Sequence, residues 1–141
     1  MDNTPDRPYE HRLRVRYGET DQMGRVHHAN YLLYFEEART GMMRALGASY
    51  ASCEAAGIGL PVRKADLRYR RGANYEEEVT VETTIERVGP ASVTFAYRCV
   101  STERGDLLAS GTTELACIDL ASGELRKLPE DLAATFEGGA P

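Results

Sequence analysis

YGETDQMGRVHHANYLLYFEEARTGMMRALG, residues 17–47, decides how the rest of the chain is read. After Tyr17 come Gly18, Glu19, Thr20, Asp21 and Gln22, glycine and polar residues that turn a chain rather than extend it. From Asn30 the apolar positions Tyr31, Leu32, Tyr34, Phe35, Ala38, Met42, Ala45 and Leu46 recur at helical spacing. Asn30 is a fitting N-cap and Gly47 a fitting stop, so the spacing predicts one long helix between them. Its apolar face is broad, as expected of a helix enclosed by a sheet.

Working outward, HRLRVRY (residues 11–17) puts Leu13, Val15 and Tyr17 on one face and Arg12, Arg14 and Arg16 on the other. That is the period of a half-buried strand. Residues 1–10, with Pro5, Pro8 and mixed charge, read as a flexible lead-in. Downstream, Ser49 to Ala56 forms a shorter helical piece closing at Gly57. Extended segments follow at 60–69, rich in basic residues, and at 79–88, where Val79, Val81, Thr83 and Ile85 share a side. Gly89-Pro90 turns the chain, and Val93, Phe95, Tyr97 and Cys99 mark the inner face of the next strand. Arg104-Gly105-Asp106 is a hairpin turn into the longest candidate, 107–120. Ser122-Gly123 leads to a short returning strand at 124–128, a weak helix starts at Pro129, and 137–141 reads as a frayed end. One strand, one long helix and a run of antiparallel strands make a single α+β domain over residues 11–136, its sheet curled around the central helix. The open edges of such a sheet predict a homodimer joined edge to edge.

Size and charge narrow the function. A chain of 141 residues buries most of its apolar surface without staples. Seventeen basic against 22 acidic residues give −5, which argues against a nucleic-acid partner. No apolar run approaches membrane-spanning length, and the opening MDNTPDRPYEHR lacks the apolar segment of a secretory signal. Cys53, Cys99 and Cys117 have no metal-like or redox spacing and read as reduced, buried thiols, so the expectation is a cytoplasmic protein.

Asp21 stands in a turn just ahead of a helix N-terminus. A carboxylate there can attack a carbonyl or draw a proton from water, while free N–H groups of the first helical turn receive an oxyanion. The competing reading is that Asp21 caps a turn. His27 and His28 are adjacent and point to different sides, with no third ligand at a convincing spacing, so no metal site is expected. His28 matters for its backbone N–H more than for its ring. Glu36 either faces the enclosed side, where a carboxylate needs a partner or a task, or joins Glu37 in solvent. Arg63, Lys64, Arg68, Arg70 and Arg71 form a basic cluster suited to phosphates or to a solvated sheet face. No GxGxxG, P-loop, GxSxG or HExxH pattern is present.

Taken together, Tyr17, Thr20, Asp21, Met23, Gly24, Val26, His28, Ala29, Asn30, Tyr31, Phe35 and Glu36 resemble the signature of hotdog-fold acyl-CoA thioesterases of the 4-hydroxybenzoyl-CoA thioesterase and YbgC-like type. The resemblance covers roughly residues 9–128. It implies a long helix wrapped by five or six antiparallel strands, paired into homodimers and often homotetramers. It implies Asp21 as the catalytic carboxylate and the His28 N–H as an oxyanion donor. Asn30 and Tyr31 would shape the helix start, and Glu36 would lie in the acyl pocket near a dimer interface. Neither cofactor nor metal is implied beyond the CoA of the substrate. One departure stands out: where the family often carries basic residues to meet CoA phosphates, this chain has Gly89-Pro90-Ala91. That leaves the task to Arg87, Ser92 or the basic cluster.

The expected activity is hydrolysis of an acyl-CoA thioester to free acid and CoA, with Asp21 as nucleophile or general base. Two alternatives stand beside it: a thioesterase for acyl groups on carrier proteins, and a non-catalytic acyl-thioester binder. A hotdog dehydratase would need a catalytic histidine and helix acid in another motif, which the chain lacks.

Overall fold

The computed structural model describes residues 8–139; the first seven residues of the expected lead-in and the last two of the expected frayed end lie outside them. Strand β1 (Tyr9–Arg14) begins within the expected lead-in and ends earlier than the alternation suggested. It starts where strand β4 (Glu78–Val88) offers partners, Tyr9 facing Thr83. It ends because the Glu19 carboxylate captures the Arg16 N–H at 2.8 Å and coils Tyr17–Glu19 into a 3-10 turn. Val15 is fully buried as expected, but Tyr17 is swung outward to 78% exposure.

Helix α1 (Asn30–Ala45) runs to the predicted stop, and α2 (Tyr50–Ala55) is capped by Ser49. Asn30 is the first helical residue rather than the cap, because its side chain is committed elsewhere. β2 (Ile58–Gly59), β3 (Val62–Tyr69), β5 (Ser92–Ser101) and β6 (Leu107–Ala116) follow with β4 in chain order, then β7 (Ile118–Asp119) and α3 (Glu130–Gly138). Five strands form one antiparallel sheet in the order β1-β4-β5-β6-β3, and β2 pairs with β7. The long strand expected at 107–120 breaks at Cys117, whose N–H leaves the ladder for the Ala91 carbonyl at 2.9 Å. The segment 124–128 is no strand; Leu125 bridges Ile118, and Leu128 bonds back to the Pro90 carbonyl. Helix α3 continues through Gly138 because Phe136 is fully buried, edge-on to Phe95 at 6.0 Å.

The alternation that predicted the strands builds the core. Val79, Val81 and Ile85, with Val93, Phe95, Tyr97 and Cys99, close on Tyr34, Phe35, Ala38, Met42 and Met43 of α1. Phe35 and Tyr97 stack with centroids 4.5 Å apart and planes 2° from parallel. Each such side chain contributes about 1.5–3 kcal/mol on leaving water. The three cysteines are buried, and burial raises their thiols, Cys99 to about 12.

Within this core lies a guanidinium. Arg39, 4% exposed, donates to Tyr50 Oη at 2.7 Å, Tyr97 Oη at 3.1 Å and Thr113 Oγ1 at 3.4 Å. It thereby ties α1 to α2, β5 and β6. A buried cation lacking such partners is costly, and so is the hole left by its removal. Arg39→Ala, which opens a cavity and strips Tyr50 of its partner, is expected to lose about 2–5 kcal/mol in urea unfolding. Arg39→Met, which refills the volume while Tyr97 and Thr113 keep their mutual bond, should lose distinctly less. Equal losses would contradict this account of the site.

One edge of the sheet is bare. Every residue of β3 except Leu67 is exposed, on both faces. Gly111 of β6 lets β3 approach closely: a Cβ there would sit 2.4 Å from the Asp66 carbonyl oxygen. On α1, Leu32 and Leu33 are 40% and 57% exposed, so the helix is not enclosed all round by its own sheet as the spacing suggested.

Candidate active site

The loop between the 3-10 turn and α1 is a small hairpin. Thr20 bridges Val26, the Asp21 N–H bonds the Arg25 carbonyl at 2.7 Å, and the Gly24 N–H returns to the Asp21 carbonyl at 3.0 Å. Gly24 sits at φ +77°, a conformation glycine adopts without strain. Inside this turn the Asp21 side chain bonds its own loop: Oδ1 accepts from Met23 N–H at 2.9 Å and Arg25 N–H at 3.4 Å. The turn-capping reading of Asp21 is therefore physically real. It occupies one oxygen and leaves Oδ2 without a hydrogen bond among the described residues.

The chain then enters α1. The Asn30 N–H bonds the His27 carbonyl at 2.9 Å, and Asn30 Nδ2 reaches the Glu19 carbonyl at 2.8 Å. The Ala29 N–H is taken by His27 Nδ1 at 3.2 Å. The His28 carbonyl accepts from the Tyr69 hydroxyl at 3.2 Å. The His28 N–H has no partner among the described residues. Its ring stacks on His27 at 4.3 Å and is exposed.

Asp21 and His28 line one open cleft of about 330 Å³, with Met23, Val26, Tyr31 and Tyr69. Arg25, Arg70 and Arg71 stand at its wall. Tyr31 is 2% exposed and fixed there: its hydroxyl accepts from Ala73 N–H at 3.2 Å and donates to the Arg71 carbonyl at 3.5 Å. Burial is the main cause that raises its pKa, so at neutral pH it is a neutral phenol. A cleft lined by a residue with a free carboxylate oxygen and by one with a free amide N–H, just ahead of a helix, has the groups that present a nucleophile or base and receive a developing oxyanion.

The other expected residues divide. Asn30 does not line the cleft; it ties the helix start to the Glu19 carbonyl. Glu36 is outside the cleft lining; its side chain is 62% exposed, with Oε2 4.0 Å from Arg39 Nη2. Arg87 and Ser92 do not line the cleft within one chain. Ser92 faces Ala116 and Val93 faces Leu115, the residue that also pairs Val62, whereas Tyr69 at the cleft pairs Ala109. They belong to the opposite end of the sheet. Of the basic cluster, Arg70 and Arg71 reach the cleft while Arg63 pairs with Glu114. Among residues that sequence reasoning passed over, Tyr69 lies 41 positions from His28 and gave no local signal. Glu19 did give one, as a second carboxylate two positions before Asp21 in a turn otherwise built from small and amide residues.

Comparison with known proteins shows the family and the fold. The family model of the thioesterase-like superfamily matches residues 15–136. The chain is 36% identical over 110 residues to a putative acyl-CoA thioesterase, YneP, of Bacillus subtilis, covering 78% of this chain and 79% of that one. It is 31% identical over 125 residues to the acyl-CoA thioester hydrolase YbgC of Escherichia coli O6:H1, covering 89% and 92%. Among solved structures, the DHNA-CoA thioesterase of Staphylococcus aureus superposes with a TM-score of 0.84 at 33% identity, covering 92% and 86%. With a helix set against a five-stranded antiparallel sheet and a carboxylate at the helix start, the chain belongs to the thioesterase-like superfamily, as a hotdog-fold thioesterase of the YbgC-like type.

Proposed function

We propose that this protein hydrolyses acyl-CoA thioesters to a free carboxylic acid and CoA, with the Asp21 carboxylate as the reacting base or nucleophile. One observation carries the reading: Asp21 and His28 line the same cleft just ahead of α1, and among the described residues Asp21 keeps one oxygen, and His28 its N–H, free of hydrogen bonds. The thioester carbonyl oxygen rests on the His28 N–H. Asp21 either attacks the carbonyl carbon or takes a proton from the water that does. The carbonyl electrons move onto oxygen, and their return expels the CoA sulfur, which leaves as a thiol after protonation. In the base route water adds directly and the proton Asp21 takes from it passes to the thiolate. In the nucleophile route thiolate loss leaves an acyl–Asp21 anhydride, which water hydrolyses to the acid and free Asp21 while its proton goes to the thiolate. Neither route calls on a cofactor or metal.

The reading includes a second copy of the chain. β3 offers an unpaired edge, and Val62, Tyr69, Leu32 and Leu33 are each 40–57% exposed. Two-fold pairing of two β3 edges runs them antiparallel, which brings the Val62 end of one beside the Tyr69 end of the other. The Arg87–Ser92 turn and Arg63 of one copy then flank the Asp21 cleft of its mate. This reconciles the expected phosphate contacts with their distance from the cleft inside one chain, and it brings Glu36 to the interface. A tetramer would be two such pairs. Among the described residues no helix is long and apolar enough to cross a membrane, and the reading keeps the cytoplasm as the site of action.

A panel of acyl-CoAs from acetyl to palmitoyl, with benzoyl types, followed by release of the free CoA thiol, tests the proposal alongside light scattering. Turnover of at least one member by a dimer or tetramer is the expected result. Binding of a non-hydrolysable acyl-CoA with no turnover across the panel would contradict it. Turnover confined to carrier-protein thioesters would contradict the CoA assignment.

A further inference from the structure

Glu19 receives hydrogen bonds from three parts of the chain. Its Oε1 accepts the Arg16 N–H at 2.8 Å, where β1 has just ended, and the Tyr34 hydroxyl at 2.9 Å, from the second turn of α1. Its carbonyl accepts the His27 N–H at 2.8 Å, where the loop returns, and Asn30 Nδ2 at 2.8 Å, where the helix begins. The Glu19 side chain is 18% exposed and Tyr34 is 3% exposed. A hydroxyl that deep requires an acceptor, and Glu19 is the one Tyr34 has among the described residues. Burial, followed by the bond to Glu19, raises the Tyr34 pKa, which keeps the phenol a donor at any working pH. A bond from a buried neutral donor to a carboxylate is among the stronger kinds.

The consequence is mechanical. Asp21 is two residues beyond Glu19, and the His28 N–H is one residue beyond the His27 that bonds to it. Neither Asp21 nor His28 touches the body of the fold through its own side chain among the described hydrogen bonds. The middle of the loop is held to the following segment, by the Val26 N–H on the Ala73 carbonyl at 2.9 Å and the Arg25–Asn74 bridge, and the His28 carbonyl by Tyr69; the Glu19 end, from which Asp21 projects, is held to the helix through Tyr34 and Asn30. We infer that Glu19, through Tyr34, is the positioning residue that keeps the Asp21 carboxylate and the His28 N–H in reacting register without itself touching substrate. The inference rests on the Asp21 reading above and adds to it the part that aims the site.

The test uses full-length Glu19→Ala, Glu19→Gln, Tyr34→Phe and the Glu19→Ala/Tyr34→Phe double variant. Displacing a reacting group by about 1 Å costs on the order of a hundredfold. Glu19→Ala should therefore lower kcat roughly ten- to a hundredfold, with KM close to the parent's because substrate contacts are intact. Glu19→Gln, whose amide oxygen still accepts from Tyr34 and Arg16, should recover most of the rate. Tyr34→Phe should lower kcat, and the double variant should be no slower than Glu19→Ala, since both remove one interaction. Hydrogen exchange supplies a readout independent of turnover: amides of residues 20–28 should exchange faster in Glu19→Ala while those of β4 and β5 do not change. Parent-like kcat in Glu19→Ala, Glu19→Gln as slow as Glu19→Ala, or a uniform rise in exchange across the sheet would overturn the inference. Exchange also separates the two failures. Faster loop exchange in Glu19→Ala together with a parent rate in Asp21→Asn overturns the Asp21 reading, whereas unchanged loop exchange overturns the role of Glu19.

Discussion

Replacing His28 by proline is expected to lower kcat by about a hundred- to a thousandfold, while His28→Ala stays close to the parent. Proline removes one atom that matters here, the amide hydrogen. That hydrogen bonds nothing among the described residues, so its loss breaks no native hydrogen bond. Position 28 lies two residues ahead of α1, outside its hydrogen-bonded turns, so no helical bond is lost with the donor. Alanine removes the imidazole instead, which is exposed, stacked on His27 and edge-on to Tyr69 at 6.2 Å, and makes no hydrogen bond among the described residues. A helix start also carries about half a positive charge, which the first-turn N–H groups deliver to whatever sits before them. An oxyanion aimed at that point gains most from the amide nearest to it. If His28→Pro folds with the parent's circular dichroism and still turns over at the parent's rate, the oxyanion does not rest on that amide. If His28→Ala is the slow variant, the ring acts where the main chain was assigned.

The parts of this molecule that could be read from its sequence are those governed by short-range rules. Tyr34, Phe35, Ala38 and Met42 repeat at helical spacing and are buried, and Val93, Phe95, Tyr97 and Cys99 alternate and are buried. Asp21 and His28 are seven residues apart, within reach of a single hairpin loop, so their convergence on one cleft followed from local geometry. Leu32 defeated the same logic: periodicity assigns it an apolar face without saying which neighbour covers that face, and one chain's own sheet does not. Arg39 shows the converse. A charged residue inside an apolar run looks like a break in the pattern, yet three hydroxyls from α2, β5 and β6 make it a core residue. Those partners lie up to 74 positions away, and no window along the chain contains them. Arg87 and Ser92 are a question of register, because which end of a strand meets the cleft depends on pairing across the whole sheet. From sequence, capping and catalysis compete for Asp21. The geometry lets them coexist, with Oδ1 in the turn and Oδ2 available.

Asp21→Asn isolates the charge from the shape. Asparagine keeps an oxygen that can accept from Met23 and Arg25, so the hairpin has no reason to open. What disappears is the negative oxygen, as base or as nucleophile, and a positioned general base alone contributes about a hundred- to ten-thousandfold. The decisive measurement is kcat of Asp21→Asn on the best acyl-CoA of the panel, taken beside a thermal unfolding curve of the same preparation. The predicted result is a rate at least about a hundredfold below the parent with an unfolding midpoint close to the parent's. A variant that unfolds like the parent and hydrolyses like the parent would mean that the thioester is cleaved by some other group.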